Sequence, residues 1–388
     1  MKSAKSVVST AFSEVKIPRK IFALSPDCHV SSGYYRFLWR RHIYDALRPL
    51  TEILITPEGM NFDWARQGHD VDTGPLDEPR ATSSERLWKM ISEAHQQHGL
   101  DAVISYCFAW DVDPELVKRT IQRGIPWINF FCDSTHMFEK VEPLARVVSL
   151  NWFPESAAAG RYAALGVPSL CAPYAMNPEC LPDLGCRTPE VPMAFVGLPS
   201  SNRITQLGWL RLFGCRVTIR GRSWVANDGP DPFHSAKPRS ERIWQALFKR
   251  GLVEKALRRV FWQFVRAQTG GALSDEEFGP FIQRCGVVLG LNQGKDEQGR
   301  FMSYMKFRDV EFPGYGCCYL TEHNEDVPRA FEVGKEILTY RTMWEAADNT
   351  RRMLREPERA RLIGQAGRAR VMRSHTWATR LGELAAKL

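Results

Sequence analysis

The chain has 388 residues, 44% apolar and 25% charged, which is ordinary for a globular protein and long enough for two α/β domains. Its 52 basic and 44 acidic residues give a net charge of +8, which suits a phosphate-bearing ligand or an anionic membrane surface. Zinc-finger spacing, RNP-type aromatic strands and basic heptad helices are all missing from the sequence, so nucleic acid is not expected as a partner.

The first twenty residues are basic but carry no continuous apolar run, and no stretch approaches the length of a membrane span. We therefore expect a cytoplasmic protein, with peripheral contact to the inner face of the membrane as an alternative. The ten cysteines are scattered and include no C-x-x-C pair, which predicts reduced thiols and no zinc site.

Short apolar strands alternate with helical stretches through the first half of the chain. Strands are predicted at residues 20–25, 51–56, 101–106, 125–132, 147–152 and 168–172. Helices are predicted at 34–50, near 84–98, at 114–123 and at 155–165, and residues 57–83 are predicted to be loop. This alternation predicts parallel βαβ units in a doubly wound sheet.

A proline-rich segment from Asn177 to Pro192 separates this block from a second one with the same alternation. Strands are predicted there at 193–197, 215–220, 287–291, 317–321 and 336–340. Helices are predicted at 202–213 and near 303–312, and two more close the chain. Two doubly wound domains in tandem would face each other across a cleft at the carboxyl ends of their strands.

A helical insertion, about residues 223–277, interrupts the second block. Within it, residues 242–266 carry seven basic residues and one acid, with apolar residues at helical spacing. This pattern predicts a basic amphipathic helix or helix pair, which either packs on the sheet or docks on an anionic membrane surface.

The most informative stretch is 285–340. A buried strand ends at Asn292, a Gly-rich loop follows, and a short helix then carries Lys306, Arg308 and Glu311. A helix N-terminus with Lys and Arg nearby is a ready diphosphate site, and a carboxylate one turn on can accept hydrogen bonds from two ribose hydroxyls.

The order of these residues resembles the GT-B glycosyltransferases, in the branch that includes spore maturation protein B. The segments that carry the resemblance are Leu291-Asn292, Arg308 to Glu311, Gly314 or Gly316, Leu320-Thr321-Glu322, Gly334 to Tyr340, and Ser374 to Trp377 with Arg380. Phe195-Val196-Gly197 with Arg203, and residues 217–224 (VTIRGRSW), look similar too. The likeness covers most of 190–388 apart from the insertion and is weaker before it, where SLNWFPES and CAPYAMNPE also look similar.

The resemblance implies a GT-B fold with two Rossmann-like domains. Its predicted parts are a polar tail (1–18), an acceptor-side domain (19–180), a linker (181–192), a nucleotide-sugar-binding domain (193–375) and a C-terminal helix (376–388) that packs back on the first domain. It also implies transfer of a sugar from a nucleoside-diphosphate sugar, with a UDP-sugar favoured, without metal or cofactor. The acceptor stays open among cell-surface polysaccharide, glycolipid, protein and small molecule. The alternatives are a nucleotide-sugar epimerase on the same fold and a non-catalytic carbohydrate-binding or assembly protein.

The resemblance also assigns binding residues. Glu311 would hold the ribose, Lys306 and Arg308 would approach the diphosphate, and Arg203 would be a second phosphate partner. Gly197 and Gly221 would permit close backbone approach at strand ends. The further candidates at the nucleotide-sugar site are Asn292, Gly314, Thr321, Glu322 and Glu336. Many retaining GT-B enzymes have paired glutamates, and Ser303 stands at the first position of that pair, so a retaining mechanism with that carboxylate is not supported.

An inverting transfer needs a general base, expected at a strand end of the first domain. Asp133 has this position, with His136 and His29 as alternatives, and residues 31–33 are candidates for contact with donor phosphate or acceptor. Asp111 and Asp113 form the one Asp-x-Asp near a strand end, and Pro114 after them predicts a turn and a helix N-cap rather than metal ligands.

Overall fold

The computed structural model describes residues 16–29, 38–60, 62, 77–184, 189–224, 252–295 and 301–388. Most of the expected polar tail, residues 31–33, much of the predicted loop 57–83 and the segment 225–251 of the insertion lie outside the described residues.

The first half of the chain forms a six-stranded parallel sheet with the strand order β2-β1-β3-β4-β5-β6. Its strands are β1 (Lys20–Leu24), β2 (Ile53–Ile55), β3 (Ala102–Ser105), β4 (Trp127–Phe130), β5 (Leu150–Phe153) and β6 (Ser169–Cys171). Every residue of β3, β4 and β5 is buried, as expected for central strands with helices on both faces. Each strand overlaps the range predicted for it.

Helices connect these strands. They are α1 (Asp45–Leu47), which continues a π-helical turn (Arg40–Tyr44), and then α2 (Asp77–His98), α3 (Pro114–Gln122), α4 (Ser134–Ala145) and α5 (Ala159–Leu165). Asp113 is the N-cap of α3, where its side chain accepts the N–H of Glu115 at 2.9 Å. Helix α4, which begins directly after Asp133, was not predicted from the sequence.

The second half forms another six-stranded parallel sheet, with the strand order β14-β13-β10-β7-β8-β9. Its strands are β7 (Val191–Val196), β8 (Thr218–Arg220), β9 (Thr269–Gly270), β10 (Cys285–Leu289), β13 (Tyr319–Glu322) and β14 (Leu338–Tyr340). A separate antiparallel hairpin consists of β11 (Gln293–Lys295) and β12 (Phe301–Ser303). Because this hairpin occupies residues predicted as loop and helix start, the helix expected near 303–312 begins only at Arg308.

The helices of the second half are α6 (Ser201–Leu212), α7 (Leu252–Arg266), α8 (Asp275–Gln283), α9 (Arg308–Gly314), α10 (Val327–Ala330), α11 (Met343–Arg355), α12 (Pro357–Ser374) and α13 (Trp377–Ala385). The described part of the insertion packs on the domain, because Phe261 of α7 lies directly against Gly208 of α6. A Cβ on Gly208 would lie 2.2 Å from the ring of Phe261, so only glycine permits this approach.

The last helix, α13, contacts the first half of the chain. The indole N–H of Trp377 donates to the carbonyl of His42, and its ring lies 5.4 Å from that of Trp152 at a steep angle. One continuous buried apolar cluster therefore includes residues of both sheets and of α13. Among the described residues, no helix combines the length and the apolar character that crossing a bilayer requires.

Candidate functional site

An ion pair joins the two halves of the molecule. Asp133 lies between β4 and α4, and Lys306 lies between β12 and α9. The ammonium of Lys306 contacts Oδ1 of Asp133 and lies 2.5 Å from the hydroxyl of Tyr304. The two charged side chains keep 24% and 29% of their surface exposed, so solvent reaches the pair. The predicted base and one predicted phosphate-binding residue are thus in direct contact.

The surroundings of Asp133 favour its ionised form. Burial opposes ionisation, but the charge and hydrogen bond of Lys306 outweigh it and hold the pKa of the carboxyl below its ordinary value. His136, early in α4, adds to this effect, and its ring lies 5.4 Å from the ring of Tyr304. Asp133 can therefore accept a proton at neutral pH.

Phe307 fixes the segment that carries Lys306 and Arg308. Its ring is buried against three rings of the first half, those of Trp39 at 5.6 Å, His42 at 4.7 Å and Tyr174 at 5.6 Å. Because Lys306 and Arg308 are its chain neighbours, this apolar contact decides where both cations lie.

Two arginines converge at the carboxyl end of β7. Arg203, in the first turn of α6, donates to the carbonyls of Leu198 at 2.9 Å and Leu291 at 3.3 Å. Arg308 donates to the carbonyl of Val196 at 3.5 Å. Both guanidinium groups lie over the ring of Phe195, at 5.6 and 5.9 Å. Paired guanidinium groups beside a helix N-terminus are suited to a phosphate.

Gly197 and Gly221 bring two strand ends close together. Gly221 has φ of +146°, and a Cβ on it would lie 2.3 Å from the carbonyl oxygen of Gly197, so no other residue fits. That carbonyl also accepts the indole N–H of Trp224 at 2.6 Å. A Cβ on Gly197 itself would lie 3.3 Å from the guanidinium of Arg308. The two predicted glycines therefore let the backbone pass close to the guanidinium group of Arg308.

Glu311 is buried where α9 meets the first half. Its Oε1 lies 3.9 Å from Nε2 of His42, and burial raises the pKa of the carboxyl to about 7, although Arg308 and Arg41 oppose the rise. Nδ1 of His42 accepts the N–H of Asn177 at 3.4 Å, so the proton of the neutral ring is on Nε2. Burial, with Arg41, lowers the pKa of His42 to about 3. The pair is therefore a neutral imidazole facing a carboxyl that titrates near neutrality.

Asp309, which the sequence analysis did not single out, is the centre of a buried polar network. Its carboxylate accepts the backbone N–H of Lys306 at 2.8 Å and the hydroxyls of Tyr319 and Thr321, both at 2.8 Å. The amide of Asn292 donates to both of its oxygens, at 2.7 and 2.8 Å. These bonds tie β13 and the end of β10 to the segment that holds Lys306.

Glu322 extends this buried network toward α6. It accepts the backbone N–H of Asn292 at 2.8 Å and a hydrogen bond from Gln206 of α6. Burial raises the pKa of its carboxyl to about 7. Three predicted binding residues, Asn292, Thr321 and Glu322, are thus brought together as internal partners of one another and of Asp309.

Three other predicted residues lie apart from these groups. Gly314 is packed inside α9 against Leu181 and Val371. Glu336 pairs with Arg370 at 2.8 Å and Arg373 at 3.7 Å on α12. His29 bonds the hydroxyl of Tyr44 at 2.8 Å near the end of β1.

The Asp-x-Asp pair has the local roles expected of it. Asp111 accepts the N–H of Phe108 at 2.7 Å, and Asp113 caps α3. Among the described residues, no three His, Cys, Asp or Glu side chains come together in a way that could hold a metal ion.

Four residues with structural roles in the site escaped the sequence analysis: His42, Tyr304, Phe307 and Asp309. Phe307 and Asp309 alternate with the predicted Lys306, Arg308 and Glu311, so their placement in the same segment was the available signal. No sequence pattern pointed to His42, because its contact with Glu311 depends on how the two halves pack.

One family model matches the second half of the chain. Residues 210–386 match the family model described as "Glycosyl transferase-like". No curated protein matches the chain.

Solved structures share the fold over nearly the whole chain. Sucrose-phosphate synthase from Thermosynechococcus elongatus is 12% identical, with a TM-score of 0.57 over 95% of this chain and 97% of its own. HepE of Anabaena, in complex with UDP-glucose, is 12% identical, with a TM-score of 0.54 over 95% and 98%. A glycosyltransferase from Rickettsia africae is 11% identical, with a TM-score of 0.56 over 95% and 97%.

These likenesses confirm the GT-B fold predicted from the sequence, and the family match confirms the prediction of a glycosyltransferase. The narrower likeness to spore maturation protein B stays a prediction. The chain therefore has the GT-B fold, and its residues 210–386 form a glycosyl transferase-like domain.

Proposed function

We propose that this enzyme transfers a sugar from a nucleoside-diphosphate sugar, with a UDP-sugar as the favoured donor, to a hydroxyl of an acceptor held against the first half. The observation that carries the proposal is the convergence of Arg203 and Arg308 at the end of β7, beside the Lys306–Asp133 pair. HepE, which shares the fold, binds UDP-glucose, and this supports the choice of nucleotide.

The donor diphosphate binds to three cationic side chains. Arg203 and Arg308 offer planar guanidinium groups that match phosphate oxygens, and Lys306 offers a point charge. These cations stabilise the nucleoside diphosphate as it leaves, so we propose that the reaction needs no metal ion. Treatment with a chelator should leave the rate unchanged, and restoration of a lost rate by a divalent ion would contradict this.

Asp133 is the proposed general base. In the structure Lys306 neutralises it, and a diphosphate at Lys306 would compete for the ammonium. Once the ammonium of Lys306 pairs with phosphate instead of Asp133, the pKa of Asp133 rises. Its carboxylate can then accept the proton of the acceptor hydroxyl. With Ser303 in the hairpin where many retaining enzymes have a glutamate, this base supports an inverting displacement.

Glu311 is the proposed partner of the ribose. Its carboxylate lies one turn along α9 from Arg308, close enough for the two charges to interact. Two vicinal hydroxyls donating to it would replace the long contact with His42 and favour the ionised form.

The test uses thermal shift with UDP, GDP, dTDP and CMP, followed by incubation with the matching nucleotide-sugars. UDP should raise the melting temperature most, and Arg308→Ala should abolish the rise, because a ligand that binds only the folded state stabilises it. Arg361→Ala, on the surface of α12 and paired with Glu358, is the matched control and should keep it. A new sugar epimer without nucleotide release would indicate an epimerase, and binding without turnover a non-catalytic protein.

Peripheral membrane contact through α7 is a further part of the proposal. Leu257, Val260 and Phe264 are 43%, 49% and 45% exposed on one face, and Arg259 and Arg266 are exposed beside them. An exposed apolar stripe with basic neighbours suits the headgroup region of an anionic bilayer. The protein should sediment with phosphatidylglycerol vesicles but not with phosphatidylcholine vesicles. Phe264→Asp should weaken this binding, and Leu362→Asp on α12 should not.

A further inference from the structure

The backbone of Asp133 is held in an unusual conformation. Its φ of 60° and ψ of 21° are left-handed, and among the described residues only one other non-glycine residue, Ser223, has positive φ. Such a conformation is unfavourable for a residue with a Cβ and persists where neighbouring groups enforce it. The side chain of Asp133 does not cap α4, although it occupies the N-cap position.

Glu155 does the capping instead. This residue follows β5, the neighbour of β4 in the sheet, and is completely buried. Its Oε2 accepts the N–H of Thr135 in the first turn of α4 at 3.2 Å, and the carboxyl also interacts with the backbone N–H of Asp133. The carboxyl thus bonds the first turn of α4 and interacts with the backbone of Asp133, at the turn that directs Asp133 toward Lys306.

The turn that carries Glu155 is also tied to the second half. The N–H of Ser156 donates to Oδ1 of Asp326, next to α10, at 2.9 Å. On the other side of the turn, the hydroxyl of Tyr162 in α5 bonds that of Ser134 at 2.9 Å. The turn after β5 is therefore tied to the second half through Ser156, and α5 is tied to the start of α4 through Tyr162.

We propose that Glu155 is a positioning residue for the transfer reaction: its buried carboxyl holds the backbone at Asp133 so that the Asp133 carboxylate faces the cleft. This inference rests on the proposed function, because it takes Asp133 as the base. Glu155 itself touches neither donor nor acceptor in this scheme.

The charges around Glu155 agree with this role. Burial raises the pKa of its carboxyl to about 8; the nearby Asp133 adds to the rise, and Lys306 opposes it. Tyr304 and Cys132 also face this group of charges. At neutral pH the Glu155 carboxyl is therefore protonated, and because it is uncharged it does not compete with Asp133 for the ammonium of Lys306. Glutamine, which keeps the acceptor oxygen and is also neutral, is the conservative replacement.

The first experiment needs no substrate. Hydrogen exchange at the Thr135 amide of the full-length protein should become about tenfold faster or more in Glu155→Ala, because the amide loses its acceptor, and should stay near the wild-type rate in Glu155→Gln. Glu142→Gln, a surface change on the same helix α4, is the control and should leave the amide unchanged. Unchanged exchange in Glu155→Ala would overturn the proposal.

The second experiment measures UDP release from UDP-glucose. Glu155→Ala should lower kcat about 100-fold with little change in KM, since a displacement near 1 Å at a reacting group has an effect of this order. Glu155→Gln should restore most of the rate. In an Asp133→Asn background the alanine change should add less than about twofold, because the two residues act as one unit.

The outcomes separate the two claims. If Asp133→Asn alone keeps full turnover, Asp133 is not the base, and the positioning role falls with it. If Asp133→Asn is inactive while Glu155→Ala keeps its kcat, only the present inference is wrong. If Glu155→Ala does not fold, Glu155→Asp replaces it: the shorter side chain should withdraw from Thr135 and lower kcat, and full activity would overturn the proposal.

Discussion

Replacing Asp309 with asparagine tests the buried network most directly. The carboxylate accepts hydrogen bonds from the amide of Asn292, the N–H of Lys306 and the hydroxyls of Tyr319 and Thr321. An amide at this place has one acceptor oxygen, and its NH2 group faces donors. With the NH2 group toward Lys306, the buried N–H of Lys306 loses its acceptor; with the amide turned round, the hydroxyls of Tyr319 and Thr321 lose theirs. One lost acceptor costs about 1–3 kcal/mol, so we expect a loss of about 1–3 kcal/mol in the free energy of unfolding for the better orientation.

Differential scanning calorimetry of the full-length protein measures this loss. For a domain of roughly 150–250 residues, 1 kcal/mol lowers Tm by about 2–4 °C, so Asp309→Asn should lower Tm by about 2–12 °C. The matched control is Asp348→Asn on α11, whose exposed side chain pairs with Arg351 at 3.7 Å and which should shift Tm by less than about 2 °C. A Tm for Asp309→Asn as close to wild type as the control would refute the assignment of Asp309 as the centre of the network.

Three further predictions concern the cleft. Gly221→Ala should lower Tm by several degrees and weaken UDP binding, because its Cβ would lie 2.3 Å from a backbone oxygen, whereas Gly160→Ala has open space around it and should not. The folded pKa of His42, about 3, lies below the ~6.5 of an unfolded histidine, so stability is lost as the pH falls below 6.5. Between pH 7 and 5, urea unfolding should show wild type losing about 2 kcal/mol more than His42→Gln, and equal losses would contradict this. The pKa of Glu311 is about 7, and hydrogen bonds from the ribose hydroxyls would favour its ionised form and release a proton on binding. The affinity for UDP-glucose, measured by calorimetry, should therefore rise between pH 6 and 8, by up to about tenfold per pH unit. In Glu311→Gln the affinity should not change with pH.

The doubly wound architecture was predictable because each central strand is a short apolar run between helical stretches. Residues 125–132, for example, contain β4 with all of its side chains buried. The helix α4 escaped because its first turn has no capping side chain of its own and Pro143 lies inside it. Its cap comes from Glu155, in the turn after β5, and a contact of that kind leaves no local pattern in the sequence.

Within the site too, residues of one segment were predictable from the sequence, whereas contacts between distant segments were not. Lys306, Arg308 and Glu311 were found because they share one segment after a buried strand. The contact between Lys306 and Asp133 spans 173 positions of the chain and depends on how the two sheets face each other. Thr321 was expected at the ligand, but its hydroxyl bonds the buried Asp309, which only the packed structure could show.

The segment Lys306-Phe307-Arg308 couples the packing of the two halves to the charge of the cleft. Separating the halves would expose the ring of Phe307, which contributes on the order of 2 kcal/mol of apolar burial, and would part Lys306 from Asp133 at the same time. In the proposed scheme a diphosphate would bind Lys306, Arg308 and Arg203 without displacing the ring of Phe307. Donor binding can therefore free the proposed base without opening the apolar contact that holds Arg308 at the end of β7. In this proposed scheme, donor binding would change the Lys306–Asp133 contact from a neutralised ion pair to an available carboxylate.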